Sequence, residues 1–292
     1  MIHYSFPLYR PPAEADNIII QATLGCSHNR CSFCTMYKSK RYTVRPLNEV
    51  RREIEALAHA YPNANKVFLA DGDALALPSD HLEKLLRLLK TSFPRLSRVS
   101  LYATAQNFLE KSIDELKELR AGGLSLAYFG IETGSDALLS KIDKGVDADQ
   151  MIEALHRAHE AGIKISATVI LGIGGIEYTH AHISDTAKLI NAAPMNYLST
   201  LQLGLEEGAK DRFFRGFDSF TPLNDLQILH EQRELISLIN PPLKIIFRSN
   251  HASNALHLSG TLPKDSEKLI AKIDDALRVG EDAMVPRWMR GF

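Results

Sequence analysis

The fold class that this sequence predicts is α/β, a parallel (β/α) barrel that is either partial, with about six βα units, or near-complete. Three observations predict it. Strand-type and helix-type signals alternate from residue 17 onward. Glycines stop helices directly ahead of strands. Polar residues recur on one side of several otherwise apolar strands. Repeated alternation of this kind joins parallel strands by right-handed crossovers.

Short apolar runs at 17–23, 66–70, 98–104, 124–131, 163–171, 197–205 and 243–247 read as strands. Between them, apolar residues at helical spacing predict amphipathic helices near 47–60, 79–91, 112–121, 148–161, 179–192 and 223–239, with another near 264–279. Ser112 with Glu115 forms a capping-box pattern at one helix start, and Asp147 with Gln150 a near relative of it. Gly122 and Gly162 end helices and lead into strands. Residues 1–210 are expected to form the core barrel, and 211–292 an extension that completes or caps it.

A strand buried on both faces is almost continuously apolar. Here Gln21 and Thr23 alternate along their strand, as do Ser100, Tyr102 and Thr104, then Ser166 and Thr168, then Thr200 and Gln202. That face is expected to line a roomy, wet cavity; solvated edge strands are the other reading. Thr104 and Thr168, toward the ends of their strands, are candidate cofactor contacts.

The chain has 292 residues, 45% of them hydrophobic, with a formal net charge of −1. Mixed signs throughout predict no extended nucleic-acid surface, which would show a basic face. No run approaches the apolar length of a membrane span. The N-terminus MIHYSFPLYR lacks the charged-then-apolar pattern of a signal peptide. The expectation is a cytoplasmic protein whose thiols stay reduced.

All three cysteines of the chain, Cys26, Cys31 and Cys34, fall within nine residues. An odd number of clustered thiols in a reducing compartment argues against disulfides and for a metal. They follow the first strand directly, at the end where parallel barrels carry their active sites. A four-iron cluster normally takes four thiolates, so three would leave one iron open to another ligand. A structural zinc, with His28 as fourth ligand, and an inert group of thiols are the other readings.

The stretch Gly25-Cys26-Ser-His-Asn-Arg-Cys31-Ser-Phe33-Cys34 resembles the cysteine loop of the radical S-adenosylmethionine (SAM) superfamily, although its C-x4-C-x2-C spacing is one residue longer than the usual C-x3-C-x2-C. Asp71-Gly72-Asp73 is similar to the family's Gly-Gly-Glu segment, whose backbone carbonyls hold the SAM amino group. Gly130-Ile-Glu132-Thr-Gly-Ser135, with Lys144-Gly145 downstream, resembles the corresponding segment of the branch that contains oxygen-independent coproporphyrinogen oxidase and the methylthiotransferases. Val169-Ile-Leu-Gly172-Ile-Gly174-Gly175 is similar to the family's adenine-contacting strand. The resemblance implies a [4Fe–4S] cluster on Cys26, Cys31 and Cys34, with SAM on the open iron. It implies SAM contacts at Phe33, Asp71, Gly72, Asp73, Glu132 and Gly172. An external electron donor of the flavodoxin or ferredoxin type would feed the cluster. The 5′-deoxyadenosyl radical would then act on an unknown small-molecule substrate. A haem chaperone also exists in this branch, so a non-catalytic binding protein is the alternative.

Once three thiols hold the first cluster none remains for an auxiliary one. With a strand starting near residue 17 and a short part after 210, the expectation is neither an N-terminal cobalamin domain nor a nucleic-acid appendage. Arg248-Ser-Asn-His251-Ala-Ser-Asn254 follows the seventh apolar run and is rich in donors and acceptors. Arg248 is a candidate clamp for a carboxylate or phosphate, and His251 a candidate hydrogen-bonding or proton-transfer group; an ordinary polar turn is the alternative. His156 with His159, on a predicted helix, read as solvated or rim positions, and His180 with His182, ahead of a helix and without an acidic partner pattern, are not read as a metal pair either. Glu206 and Glu207 end the sixth strand as cavity or loop residues.

Overall fold

The computed structural model describes residues 2–291. In chain order the elements are β1 (Ile18–Gln21), β2 (Thr23–Leu24), β3 (Thr43–Val44), α1 (Leu47–Ala60), β4 (Lys66–Ala70), α2 (Ser79–Ser92), β5 (Arg98–Ala103), α3 (Ala105–Leu109), α4 (Ile113–Ala121), β6 (Leu124–Glu132), α5 (Asp136–Lys141), α6 (Ala148–Glu160), β7 (Lys164–Leu171), α7 (Gly175–Ala192), β8 (Tyr197–Gln202), α8 (Glu207–Phe214), α9 (Asp225–Leu238), β9 (Ile245–Ser249), β10 (Leu258–Leu262) and α10 (Ser266–Val279). The main sheet runs β1-β4-β5-β6-β7-β8-β9-β10, with β2 and β3 as a separate hairpin. The architecture is α/β with a mostly parallel sheet, as the alternation predicts. Among the described residues no helix is long and apolar enough to cross a membrane.

The seven anticipated strands and seven helices form close to their expected bounds. Both capping patterns are made: Ser112 and Glu115 bond each other's backbone N–H, and so do Asp147 and Gln150. Gly162 takes φ +74, the left-handed turn that brings α6 round into β7. Additional elements are the β2–β3 hairpin, the short helices α3, α5 and α8, and β10, which pairs antiparallel with β9.

The chain divides into two compact units. The first holds the residues through Asn29, Met36–Phe129 and Arg157–Ile165. Here β1 pairs parallel with β4, β4 with β5, and β5 with β6. One sheet face carries Ile19, Phe68 and Ala70, and Tyr4, Leu8, Tyr102 and Tyr128 pack against them. The N-terminal segment lies on this face. Tyr4 donates to the Ile19 carbonyl, and Ser5 and Gln21 exchange two hydrogen bonds at 2.8 and 2.9 Å. Glu14, wholly buried, accepts from Arg98 and from the Tyr128 hydroxyl at 2.6 Å. The polar side of these strands is therefore packed rather than wet: Gln21 is satisfied by backbone that the strand pattern does not reveal.

The second unit holds Arg30–Thr35, Gly130–His156 and the chain from Ser166 onward. Here β8 lies parallel between β7 and β9. Register aligns Thr168 with Ser199, Ser199 with Arg248, and Arg248 with Ser259, giving a polar row on one face whose members are partly or fully exposed. Thr200 aligns with Val169 on the other face. There it is buried and accepts from Gln232 of α9 at 3.0 Å, while Gln202 donates to Asp225. Thr200 and Gln202 thus face the helices, and Ser199 takes the place expected for them. Ser199-Thr200-Leu-Gln202 offers polar residues in both phases of the alternation, so the sequence alone does not set the phase.

Candidate active site

The cysteine loop leaves the first unit's sheet after β1 and β2. Gly25 takes φ +74, and an added Cβ there would meet the Arg41 and Tyr42 backbone at 3.1 Å, so only glycine suits this corner. Cys26 follows, partly exposed, its Sγ accepting from the Asn29 N–H at 3.5 Å. The Asp71-Gly72-Asp73 turn after β4 packs directly on it. Gly72 N–H donates to the Gly25 carbonyl at 3.0 Å, and a Cβ on Gly72 would come within 2.7 Å of the Cys26 Cβ. Asp73 is buried and accepts from both the backbone N–H (2.8 Å) and the hydroxyl of Ser27. Burial nonetheless raises the pKa of Asp73, with the Ser27 bonds pulling the other way. The Asp71 carboxylate is buried among protein donors, Gly25 N–H and Lys40 Nζ.

Cys31 and Cys34 belong to the second unit, in one turn closed by the Cys34 N–H and the Cys31 carbonyl at 3.3 Å. Arg212 of α8 holds this turn, donating from Nε to the Ser32 carbonyl (3.1 Å) and from Nη2 to the Cys34 carbonyl (2.8 Å). Thr35 donates to Glu206 at 2.7 Å. Phe33 packs against an apolar group that includes Leu138, Ile142, Ile173, Phe213 and Phe217.

In the same unit the β6 end supplies Glu132 in a left-handed conformation, φ +63. Its carboxylate folds back over Gly130, where a Cβ would lie 2.0 Å from Glu132 Oε1. Lys144 pairs with that oxygen at 2.8 Å. Burial opposes the Lys144 charge, but Glu132 and the Cys31 and Cys34 sulfurs outweigh it and hold its pKa above the usual lysine value. Gly172, φ +79, ends β7 and donates its N–H to Glu231 of α9. Thr168 is partly buried in the polar row described above. Thr104, in the first unit, is the N-cap of α3, accepting from the Asn107 N–H at 3.3 Å.

Arg248 is exposed on β9, its Nη1 donating to the Phe247 carbonyl at 2.7 Å. His251 Nδ1 accepts the Ser253 N–H at 3.2 Å, so the neutral ring carries its proton on Nε2; burial lowers its pKa. Asn254 is buried and ties β8 to β9. His182 is fully buried against the Thr133 hydroxyl (2.8 Å), and burial lowers its pKa to about 4, leaving it neutral. His156 is exposed, with a ring nitrogen 3.0 Å from the Ala192 carbonyl. Lys40 and Arg212 did not stand out in the sequence, whereas Gly130 opens the Gly130-Ile-Glu132-Thr-Gly-Ser135 segment singled out there.

Among the described residues, no three His, Cys, Asp or Glu side chains already stand together as a metal-binding group. The fit to an iron–sulfur cluster rests on donor chemistry. Three partly exposed thiols occupy one loop. Gly72, with no Cβ, lets a turn close onto the first of them, and a protonated lysine feels the other two.

A family model described as the Radical SAM superfamily matches residues 20–190. The chain is 27% identical over 173 residues to the heme chaperone HemW of Bacillus subtilis, covering 57% of this chain and 46% of that protein. It is 28% identical over 193 residues to an uncharacterized methyltransferase of Pyrococcus horikoshii, covering 63% of this chain and 39% of that one. The chain thus spans less than half the length of these relatives. Among solved structures, coproporphyrinogen III oxidase (HemN) from Escherichia coli shares the fold with a TM-score of 0.59 at 18% identity, over 76% of this chain and 51% of that chain. Methylornithine synthase (PylB) does so with a TM-score of 0.53 at 17% identity, over 76% and 63%. The chain belongs to the radical SAM superfamily, whose cofactors are a [4Fe–4S] cluster and S-adenosylmethionine.

Proposed function

We propose that this chain is a radical SAM enzyme acting on a small anionic substrate, with Cys26, Cys31 and Cys34 as cluster ligands. The observation that carries the reading is a loop with three thiols, and three only, inside the family match. When bound, the cluster and S-adenosylmethionine supply a reductive cleavage that yields a 5′-deoxyadenosyl radical able to remove hydrogen from a substrate.

The chain's own residues bind and orient. The Asp71-Gly72-Asp73 turn and Glu132 hold the SAM amino acid end, Glu132 being kept in place by Lys144. Phe33, Thr104, Thr168 and Gly172 contact the rest of that cofactor. The row Thr168, Ser199 and Arg248 receives the substrate, with the Arg248 guanidinium on its carboxylate or phosphate. His251 donates a hydrogen bond from Nε2. A flavodoxin- or ferredoxin-type protein delivers the electron.

Anaerobic reconstitution tests this. About four irons per chain are expected, with slow release of 5′-deoxyadenosine under dithionite. Cys31→Ala should abolish iron loading. Zinc in place of iron, or full loading of Cys31→Ala, overturns the assignment. The similarity to a heme chaperone supports a second reading. Stoichiometric haem binding with no 5′-deoxyadenosine release would select it.

A further inference from the structure

Asp71 bonds to the chain just before the first cysteine and again just after the last. Its Oδ2 accepts from the Gly25 N–H at 3.1 Å, one residue before Cys26, and from Lys40 Nζ at 2.8 Å, six residues beyond Cys34. The pair is deeply buried, the Lys40 side chain 7% exposed and that of Asp71 0%. The Lys40 ammonium has three protons and three acceptors: Asp71 Oδ2, the Ser5 carbonyl at 2.7 Å and the Pro7 carbonyl at 2.6 Å. The side chain is therefore fully committed, with no proton left for a ligand.

A buried ion pair is a weak source of net stability, because desolvation offsets much of the attraction. Its better-attested use is to fix register, since removing either partner strands the other charge. What this pair registers is the entry and exit of the segment that carries all three thiols. A flexible segment of that length loses conformational freedom when a ligand orders it, and fixing both ends beforehand removes part of that cost.

We propose that Lys40 is a positioning residue, and that the Lys40–Asp71 pair is a clasp which pre-orders the cysteine loop and so slows loss of the iron–sulfur cluster. The clasp belongs to the chain itself; its consequence for iron rests on the radical SAM reading. The backbone of the Asp71–Gly72 turn remains available to SAM while the Asp71 side chain closes the loop.

The test uses the full-length, anaerobically reconstituted protein and a ferrous chelator. Lys40→Met should lose iron about tenfold faster than the unaltered chain, the scale on which residues behind metal ligands act. The 5′-deoxyadenosine formed per remaining cluster should be unchanged. Arg98→Met is the control: it breaks the Arg98–Glu14 pair in the same unit, and it should lower thermal stability without speeding iron loss. Equal acceleration in both variants, or none in Lys40→Met, overturns the proposal. If Lys40→Met does not fold, Lys40→Met/Asp71→Asn removes both buried charges and should show the same rapid iron loss; retention at the unaltered rate overturns it. Hydrogen exchange on the unaltered apo chain gives a reading independent of iron. The Gly25 amide should exchange as slowly as the β1 amides, and fast exchange there overturns the clasp. Slow exchange in a chain that takes up no iron would instead overturn the radical SAM reading and leave the clasp standing.

Discussion

The carboxylate of Glu231, on α9, accepts the Gly172 N–H at 2.5 Å and the Thr179 hydroxyl at 2.6 Å, latching the turn that ends β7. Burial drives its pKa up to about 7, against the pull of those two donors. The folded chain therefore binds a proton more tightly than the unfolded one. This stabilisation is complete below the unfolded carboxyl value and is lost as pH rises toward and through about 7. Glu231→Gln keeps an acceptor for Gly172 and can bond Thr179 from its amide. The apo variant should melt at nearly the same temperature at pH 5.5 and 8, whereas the unaltered chain should melt lower at pH 8. Parallel pH profiles for the two would rule out Glu231 as the titrating group.

Gly130→Ala tests why a glycine precedes Glu132. The new methyl would sit 2.0 Å from Glu132 Oε1 and 2.9 Å from Lys144 Nζ, so the carboxylate has to move. Overpacking of this kind costs about 1–3 kcal/mol. The expected outcome is a cluster that still forms, with SAM affinity at least about tenfold weaker, a change of about 1.4 kcal/mol. Unchanged SAM titration, followed by the EPR signal of the reduced cluster, would remove Glu132 from the SAM contacts.

Arg212→Met takes away the two donors on the Ser32 and Cys34 carbonyls and keeps only an unbranched apolar stem in their place. Iron content should stay close to about four per chain. With Cys34 as the cluster ligand proposed above, the reduction potential should shift, because a cation and two oriented backbone dipoles beside that residue are changed together. A potentiometric EPR titration identical to that of the unaltered chain would reduce Arg212 to a packing residue.

The strands and helices were legible because each announces itself within a dozen residues, through periodicity and capping. Ser112 with Glu115 is such a signal, complete in four residues. α3 was not anticipated because Thr104 extends the apolar run of β5 smoothly, whereas in the structure it is the helix cap. β10 was not anticipated because Leu-Ser-Gly-Thr-Leu is short, carries a glycine and pairs antiparallel after a parallel series. The thiols, Gly72 and Glu132 could be picked out because their chemistry travels with local sequence patterns. Lys40 could not, since its partner lies 31 residues away and its other acceptors are backbone carbonyls of an N-terminal segment with no regular strand or α-helix. The wet face expected of the first unit's strands failed for the same reason: the covering chain is distant in sequence and irregular.

Asn254 separates architecture from chemistry within the Arg248–Asn254 stretch. Its Oδ1 accepts the Gln202 N–H at 2.8 Å, and its Nδ2 donates to the Thr200 carbonyl at 2.7 Å and the Ser249 hydroxyl at 3.0 Å. The side chain is 3% exposed, so water replaces none of these bonds easily. Asn254→Ala leaves buried backbone groups unpaired, each costing about 1–3 kcal/mol. A loss of about 2–4 kcal/mol is expected, lowering Tm by about 5–10 °C at the usual few degrees per kcal/mol for chains of this size. Asn254→Asp, which restores the acceptor and not the donors, should fall between. Iron content and SAM cleavage per cluster should be unaffected at temperatures where the fold persists. Arg248→Ala and His251→Ala should instead lose substrate turnover while keeping the cluster and SAM cleavage, and leave Tm within about 1–2 °C, since exposed or partly exposed side chains away from packed networks contribute little. A melting shift in Arg248→Ala as large as that in Asn254→Ala would make Arg248 a structural tie between β9 and β10 and remove it from the substrate row.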